Sequence, residues 1–231
     1  TSLVIRASWT TGVLPLPIIT NTPKLIHKHQ LLAAIKELLP EVVSVMQNVN
    51  PGDTPLVWGD QTIHLAGAET ITESLMGLDF KLSARSFLQL NPAQTEVLYE
   101  EAAKALELAP DDTLIDAYAG IGTIGLSLAA RVKNVRGMEI IPEAVADANE
   151  NARLNGITNA HYEVGKAEEI LPKWQNEGLS FDALVVDPPR AGLDDNLIKA
   201  ILKTKPRKFA YVSCGMASLA RNLRRLTSVY H

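Results

Sequence analysis

The chain has 231 residues, 46% hydrophobic and 21% charged, which is enough for one large domain or two small ones. Its single cysteine, Cys214, excludes an internal disulfide and any cysteine-only metal or iron–sulfur site, so no metal is expected and a reducing compartment fits. No apolar run is long enough to span a bilayer and the start carries no secretory pattern, so a cytoplasmic protein without a membrane partner is expected.

The net charge of -4 conceals an uneven distribution. All 26 acidic residues lie between Glu37 and Asp195. Residues 1–36 carry Arg6, Lys24, Lys28 and Lys36 without an acid. Residues 196–231 carry Lys199, Lys203, Lys205, Arg207, Lys208, Arg221, Arg224 and Arg225, again without an acid. Two basic ends suit a polyanion such as RNA, held through its phosphates, and they equally suit solvated helix faces.

In chain order, residues 3–8 and 13–20 read as strands, 24–39 as an amphipathic helix stopped by Pro40, and 42–48 as a strand. Short strand candidates follow at 56–58, 62–65, 70–76 and 80–82, separated by Gly, Pro and Asp turns. This predicts a small α+β domain over residues 1–84. From Asn91-Pro92, a helix cap followed by a first-turn proline, the rhythm becomes a regular alternation. Helices are predicted at 92–108, 124–130, 143–154, 167–175, 196–202 and 217–226. Strands are predicted at 113–117, 135–140, 161–164, 183–187 and 208–213. Alternation of this kind builds βαβ units, here a five-stranded parallel sheet with helices on both faces over residues 85–231.

The first of these strands runs into Asp116-Ala-Tyr118-Ala-Gly120-Ile-Gly122-Thr123-Ile-Gly125, and Glu139 closes the next strand. A G-x-G-x-x-G turn with a carboxylate one strand on fits a dinucleotide. It fits S-adenosylmethionine as well, whose cationic groups would welcome a strand-end acid such as Asp116 that a pyrophosphate would not. Asp116 bonding only to loop amides is the plainer alternative. The fourth strand ends in Asp187-Pro188-Pro189-Arg190, a stiff turn facing the same crevice, for which a hydride-transfer enzyme has no evident use. The fifth ends in Tyr211-Val-Ser-Cys214, either a nucleophile at the sheet edge or a small core residue.

These stretches resemble the RNA uracil-5-methyltransferases, most closely the bacterial branch acting on 23S ribosomal RNA. The match is carried by residues 86–92, 116–122, Gly137-Met-Glu139, Asn151-Ala-Arg-Leu-Asn155-Gly156, 187–192, and Tyr211 to Cys214 with Leu219-Ala-Arg221. The resemblance implies a class I S-adenosylmethionine-dependent, Rossmann-like α/β domain preceded by the smaller α+β domain. It implies RNA as partner, 23S rRNA foremost and tRNA as an alternative. Cys214 becomes the nucleophile that adds to carbon 6 of uracil. Gln89, Tyr118, Glu139 and Asp187 become methyl-donor contacts, joined by Gly120, Gly122 and Thr123 of the loop, and Phe87 and Arg190 become substrate contacts.

The departures from the family pattern carry information too. Gly215-Met216 stand where the family usually has Asn and often Pro, Lys166 where many members have Asp or Asn, and Thr123 where some have Asn. The family's general-base Glu belongs to a later His-x-Glu motif than this sequence reaches, so a C-terminally shortened methyltransferase domain lacking its last strands is expected. An inactive RNA-binding paralogue or fragment with the same fold is the alternative.

Overall fold

A computed structural model describes residues 2–52, 57–89 and 91–228. The chain divides into two compact units, one of Thr1–Ser74 with Asp79–Ser86 and one of Leu75–Leu78 with Phe87–His231.

The first unit holds β1 (Ser2–Leu3), β2 (Leu14–Thr20), α1 (Lys28–Leu38), β3 (Val42–Val49), β4 (Gln61–Gly67), β5 (Ile71–Leu75) and β6 (Leu78–Leu82). Strands β1 to β4 form one sheet in that order, with β2 and β3 parallel and the outer pairs antiparallel. Strand β2 tolerates Pro15 and Pro17 because their missing donors face β1, which pairs only with Ile18 and Ile19. The backbone groups of Leu14 and Thr20 turn the other way, toward the chain at Glu41 and Asn50. Leu16, Ile18, Ile35 and Val45 make the small core under α1. Strands β5 and β6 form a hairpin around Met76 and Gly77, both at positive φ of 54° and 74°, the geometry of a tight two-residue turn. The hairpin tip, Leu75–Leu78, counts with the second unit.

Two expected strands take another form. Residues 3–8 pair only at their start, because Ser8 opens a turn in which its side chain accepts from Thr11 N at 3.0 Å and Oγ1 at 2.6 Å. The buried Glu73 carboxylate then accepts from Trp9 N at 2.9 Å and from Thr10 N at 3.2 Å. Of the segment 56–58, Leu56 lies outside the described residues and Val57-Trp58 are not strand.

The second unit is a doubly wound parallel sheet. It comprises α2 (Pro92–Leu106), β7 (Thr113–Ala117), α3 (Thr123–Leu128), β8 (Asn134–Glu139), α4 (Pro142–Leu154), β9 (Ala160–Val164), α5 (Ala167–Asn176), β10 (Ala183–Val186), α6 (Asp195–Thr204), β11 (Lys208–Tyr211) and α7 (Met216–Leu226). Strand order is β11-β10-β7-β8-β9. Every residue of β10 is fully buried, as a strand covered on both faces requires. Asn91 Oδ1 accepts from Gln94 N at 3.2 Å and Pro92 occupies the first turn, which starts α2 where expected. One side of the sheet buries Ile115, Met138, Leu171, Trp174, Leu184, Leu197, Ile201 and Leu226 in a continuous core. At the amino-terminal edge the buried Asp112 carboxylate takes Lys208 at 2.6 Å and Arg207 at 3.1 Å, stapling β11 to the loop that leads into β7.

Candidate active site at the carboxyl edge of the sheet

The pairing register sets the site. Ala117 of β7 lies beside Val186 of β10 and Met138 of β8, and Val186 lies beside Tyr211 of β11. The four strands therefore end in one row. The loops that follow carry, in spatial order, Cys214, Asp187 to Arg190, the glycine turn and Glu139. The chain leaves β7 toward β8 and later returns to β10 on its other side, so the strand order reverses between β7 and β10. Open α/β sheets take their ligands at this point. The turn after β10 and the glycine loop after β7 flank it.

The glycine loop opens with Tyr118 at φ 63°. The Tyr118 ring packs on the core and its hydroxyl meets the backbone of Asp194, while burial first, then Glu168 and Asp194, push the phenol up. Gly120 follows at φ 55°, and a side chain there would stand in open space with no atom within 4 Å. This leaves an uncovered cradle next to Glu139, whose Oε2 accepts from Gly120 N at 3.0 Å and whose Oε1 accepts from Ile141 N at 3.0 Å. Both oxygens of the half-buried Glu139 are thereby held in place, each with a lone pair to spare.

The other glycines of the motif serve packing rather than a phosphate. The ring of Tyr162, 5% exposed, lies beneath the loop. A Cβ at Gly122 would stand 2.9 Å from it, at Gly125 2.6 Å from its hydroxyl, and at Gly137 2.2 Å from a ring carbon. Asp116 is turned the same way: 1% exposed, it accepts from Gly125 N at 2.8 Å. Burial first, with Asp187 and Glu139 adding their charges against the opposing Gly125 bond, pushes its carboxyl up to about 7. The loop-amide alternative for Asp116 is thus the one realised, although its field still reaches the crevice.

Asp187 is partly open. Burial pushes its carboxyl up to about 6, opposed by Gln89, whose Nε2 donates to Asp187 Oδ2 at 3.4 Å. Thr123 Oγ1 sits 2.8 Å from the hydroxyl of Tyr99 on α2. Phe87 is 61% exposed and Arg190 is exposed as well. Lys166 is exposed and pairs with Glu169 at 3.6 Å.

Cys214 is exposed, at the end of a loop held by its neighbours. Ser213 Oγ accepts from Gly215 N at 3.2 Å and Ser218 Oγ donates to Gly215 O at 2.9 Å. A Cβ on Gly215 would stand 2.8 Å from Ser218 Oγ and 3.0 Å from Arg190 O. The glycine that departs from the usual pattern is therefore what lets the Cys214 loop press against the Arg190 turn. Asn222, 2% exposed, completes the brace, its Oδ1 accepting from Leu193 N at 3.0 Å and Tyr211 OH at 3.0 Å. Sequence reasoning passed over Tyr99, Tyr162 and Asn222. Asn222 was the most accessible of the three, being a polar residue four positions from both Ser218 and Leu226 on the buried stripe of α7.

Gln89, the glycine loop, Glu139, Asp187 and Cys214 thus share the carboxyl edge of one sheet. A half-buried carboxylate beside an open backbone cradle suits a ligand bearing hydroxyl groups and a positive charge. Among the described residues no group of three or more His, Cys, Asp or Glu is placed to hold a metal ion, and no helix is long and apolar enough to cross a membrane.

Comparison with known proteins bears on the fold and the family. The Pyrococcus abyssi tRNA (uracil-54, C5)-methyltransferase, solved in complex with S-adenosyl-L-homocysteine, superposes with a TM-score of 0.77 at 28% identity, covering 96% of this chain and 52% of that one. An Agrobacterium tumefaciens SAM-dependent methyltransferase shares the fold at 18% identity and a TM-score of 0.57, covering 82% of this chain and 66% of that one. Among curated proteins, an uncharacterized RNA methyltransferase of Lactiplantibacillus plantarum is 61% identical over 229 residues, which is 99% of this chain and 48% of the relative. One of Listeria monocytogenes is 54% identical over 99% of this chain and 50% of its own length. The chain spans about half the length of the curated relatives it matches. The family described as tRNA (Uracil-5-)-methyltransferase matches residues 67–231. With its doubly wound sheet and the glycine turn, Asp-Pro-Pro-Arg turn and Cys214 loop along one edge, the chain belongs to the tRNA (uracil-5-)-methyltransferase family.

Proposed function

We propose that this chain carries the methyl-transfer site of an enzyme that methylates carbon 5 of uridine in RNA, with S-adenosylmethionine as donor, Cys214 as nucleophile and 23S ribosomal RNA as target. The observation that carries the reading is the shared register of β7, β8, β10 and β11, which lines up the loops holding Gly120, Glu139, Asp187 and Cys214.

S-adenosylmethionine, when bound, supplies an electrophilic methyl group on a cationic sulfur. Glu139, both oxygens fixed by amides, takes the ribose hydroxyls, and the cradle at Gly120 admits the ligand close to the backbone, with Gly122 and Thr123 forming the exit of that loop. Asp187, steadied by Gln89, faces the positive end in its ionised form, and Tyr118 closes the loop from the core side. Arg190 meets a phosphate and Phe87 faces the target base, which must leave its stack to reach the site.

Carbon 5 of uracil is a weak nucleophile. Addition of the Cys214 thiolate to carbon 6 forms a carbon–sulfur bond and moves the ring electrons to carbon 5 as an enolate, which can then accept the methyl group. A base next removes the carbon 5 proton, the ring double bond re-forms and the thiolate leaves. The attacking species is the thiolate, and the exposure of Cys214 suits attack on a substrate rather than core filling.

The test is transfer of labelled methyl from S-adenosylmethionine to unmodified 23S rRNA and to unmodified tRNA, followed by nucleoside analysis. Label recovered as 5-methyluridine in 23S rRNA supports the whole reading, and label in tRNA alone replaces the target. Salt-dependent RNA binding without transfer by the chain or by its full-length form returns the inactive RNA-binding alternative.

A further inference from the structure

Tyr99 is buried, with 1% of its surface exposed, and the chemistry outlined above does not use it. It sits in the middle of α2, the helix that begins just after Gln89. Its hydroxyl lies 2.8 Å from Thr123 Oγ1, the first residue of α3 and the exit of the glycine loop. Its phenol is pushed up first by burial, and also by the charges of Asp187 and Asp116, against the Thr123 bond. The hydroxyl pair therefore lies within the field of both carboxylates and stays protonated. A buried phenol and a buried threonine hydroxyl bonded to each other form a directional link rather than a solvated one.

The link connects two halves of the crevice. On one side Gln89, at the entry to α2, donates to Asp187 Oδ2 at 3.4 Å. On the other, Thr123 ends the segment in which Gly120 and Gly122 stand at φ 55° and 83°. These backbone conformations carry little intrinsic restraint because glycine reaches many others. Groups outside the loop hold its exit: Tyr162 packs beneath Gly122 and Gly125, Asp116 accepts from Gly125 N, and the two hydroxyls tie Thr123 to α2.

Resting on the methyl-donor reading above, we infer that Tyr99 is a positioning residue of the crevice: through Thr123 it locks the exit of the glycine loop in register with the Gln89–Asp187 pair. The link preorganises the loop for its ligand, and its loss is felt in binding before it is felt in folding.

The test is calorimetric binding of S-adenosylhomocysteine to the 231-residue chain and to Tyr99→Phe, Thr123→Val, Thr123→Ser and the Tyr99→Phe/Thr123→Val double variant, with thermal unfolding of each. Losing one net hydrogen bond of this kind is expected to weaken binding about five- to ten-fold in Tyr99→Phe and in Thr123→Val. The double variant should lose no more than either single one, because both remove the same link. Thr123→Ser keeps the hydroxyl and should recover most of the affinity that Thr123→Val loses. In the ligand-free protein, the Gly122 amide should exchange its hydrogen faster in Tyr99→Phe. Wild-type affinity in Tyr99→Phe, or losses that multiply in the double variant, would overturn the assignment. So would a fall in melting temperature with affinity unchanged, the mark of a merely structural role. If Tyr99→Phe does not fold, the two Thr123 variants carry the same comparison from the other hydroxyl. Failure of the wild type to bind S-adenosylhomocysteine would overturn the methyl-donor reading itself, and this assignment with it.

Discussion

Replacing Gly137 with alanine tests whether the glycines around the cofactor loop are there for Tyr162. The added Cβ would stand 2.2 Å from one Tyr162 ring carbon and 2.3 Å from the next, more than an ångström inside the 3.4 Å at which ordinary contact begins. The ring has nowhere to retreat, since its hydroxyl end is lodged against Gly122 and Gly125 and only 5% of the residue is exposed. Strand β8 cannot yield either, being paired on both sides by β7 and β9. Overpacking typically costs about 1–3 kcal/mol, and with ring and strand both confined Gly137→Ala should cost about 3 kcal/mol or more. Tyr162→Leu is destabilising too, but it removes the atoms that clash. In that background Gly137→Ala should cost about 1 kcal/mol, a coupling of about 2 kcal/mol between the sites. Urea unfolding of the four proteins reads both quantities. A Gly137→Ala protein within about 0.5 kcal/mol of wild type, or costs that simply add, would refute the packing account.

Other outcomes follow from the charges at the site. Asp116 and Asp187 are raised to about 7 and about 6 from an ordinary 3.8, so the folded chain keeps protons that the unfolded chain has released. Stability should therefore be highest near pH 4 with respect to these two groups and fall as pH rises to about 7, by on the order of a few kcal/mol; Asp116→Asn should flatten that slope in chemical denaturation, and an unchanged slope would count against it. With Asp187 as the proposed contact for the donor's positive end, affinity for S-adenosylmethionine should rise about ten-fold between pH 5 and pH 7 and lose this dependence in Asp187→Asn. At the opposite edge, Lys208→Met leaves the 3%-exposed Asp112 carboxylate with a weaker set of partners. It should destabilise the chain by about 3 kcal/mol in urea, with donor affinity unaffected.

The parallel sheet was legible in the sequence because each of its strands is short and apolar, flanked by turns and followed by a helix, and such a pattern has few other solutions. The first unit was less legible. The stretch from Leu3 to Ser8 has the composition of a strand, but its fate is decided by Glu73, 64 residues away from Trp9. Two prolines in β2 were compatible with a strand only because the neighbour on their side is two residues long. Within the site, that the loops gather at one end of the sheet could be inferred, whereas their order along the edge and the inward-facing contacts could not. The glycine motif reads as a ligand turn, for a dinucleotide or a methyl donor, until Tyr162, 40 residues from Gly122, shows which atoms its later glycines make room for. Asp116 reads as a ligand until Gly125 N claims it. Gly215 reads as a lesion in the family pattern until Arg190 O is found 3.0 Å from where its Cβ would be. In each instance local sequence names the residue type and a distant partner decides its role.

The central claim is that Cys214 attacks carbon 6 of a uracil at the edge shared with the methyl-donor crevice. Incubating the chain with S-adenosylmethionine and 23S rRNA fragments carrying 5-fluorouridine tests it directly, because fluorine at carbon 5 cannot be removed as a proton and the adduct accumulates. The account predicts a denaturation-resistant protein–RNA species whose cross-linked peptide contains Cys214, and its loss in Cys214→Ala with donor binding retained. A species that persists in Cys214→Ala, or no species from wild type when both RNA and donor bind, would contradict it.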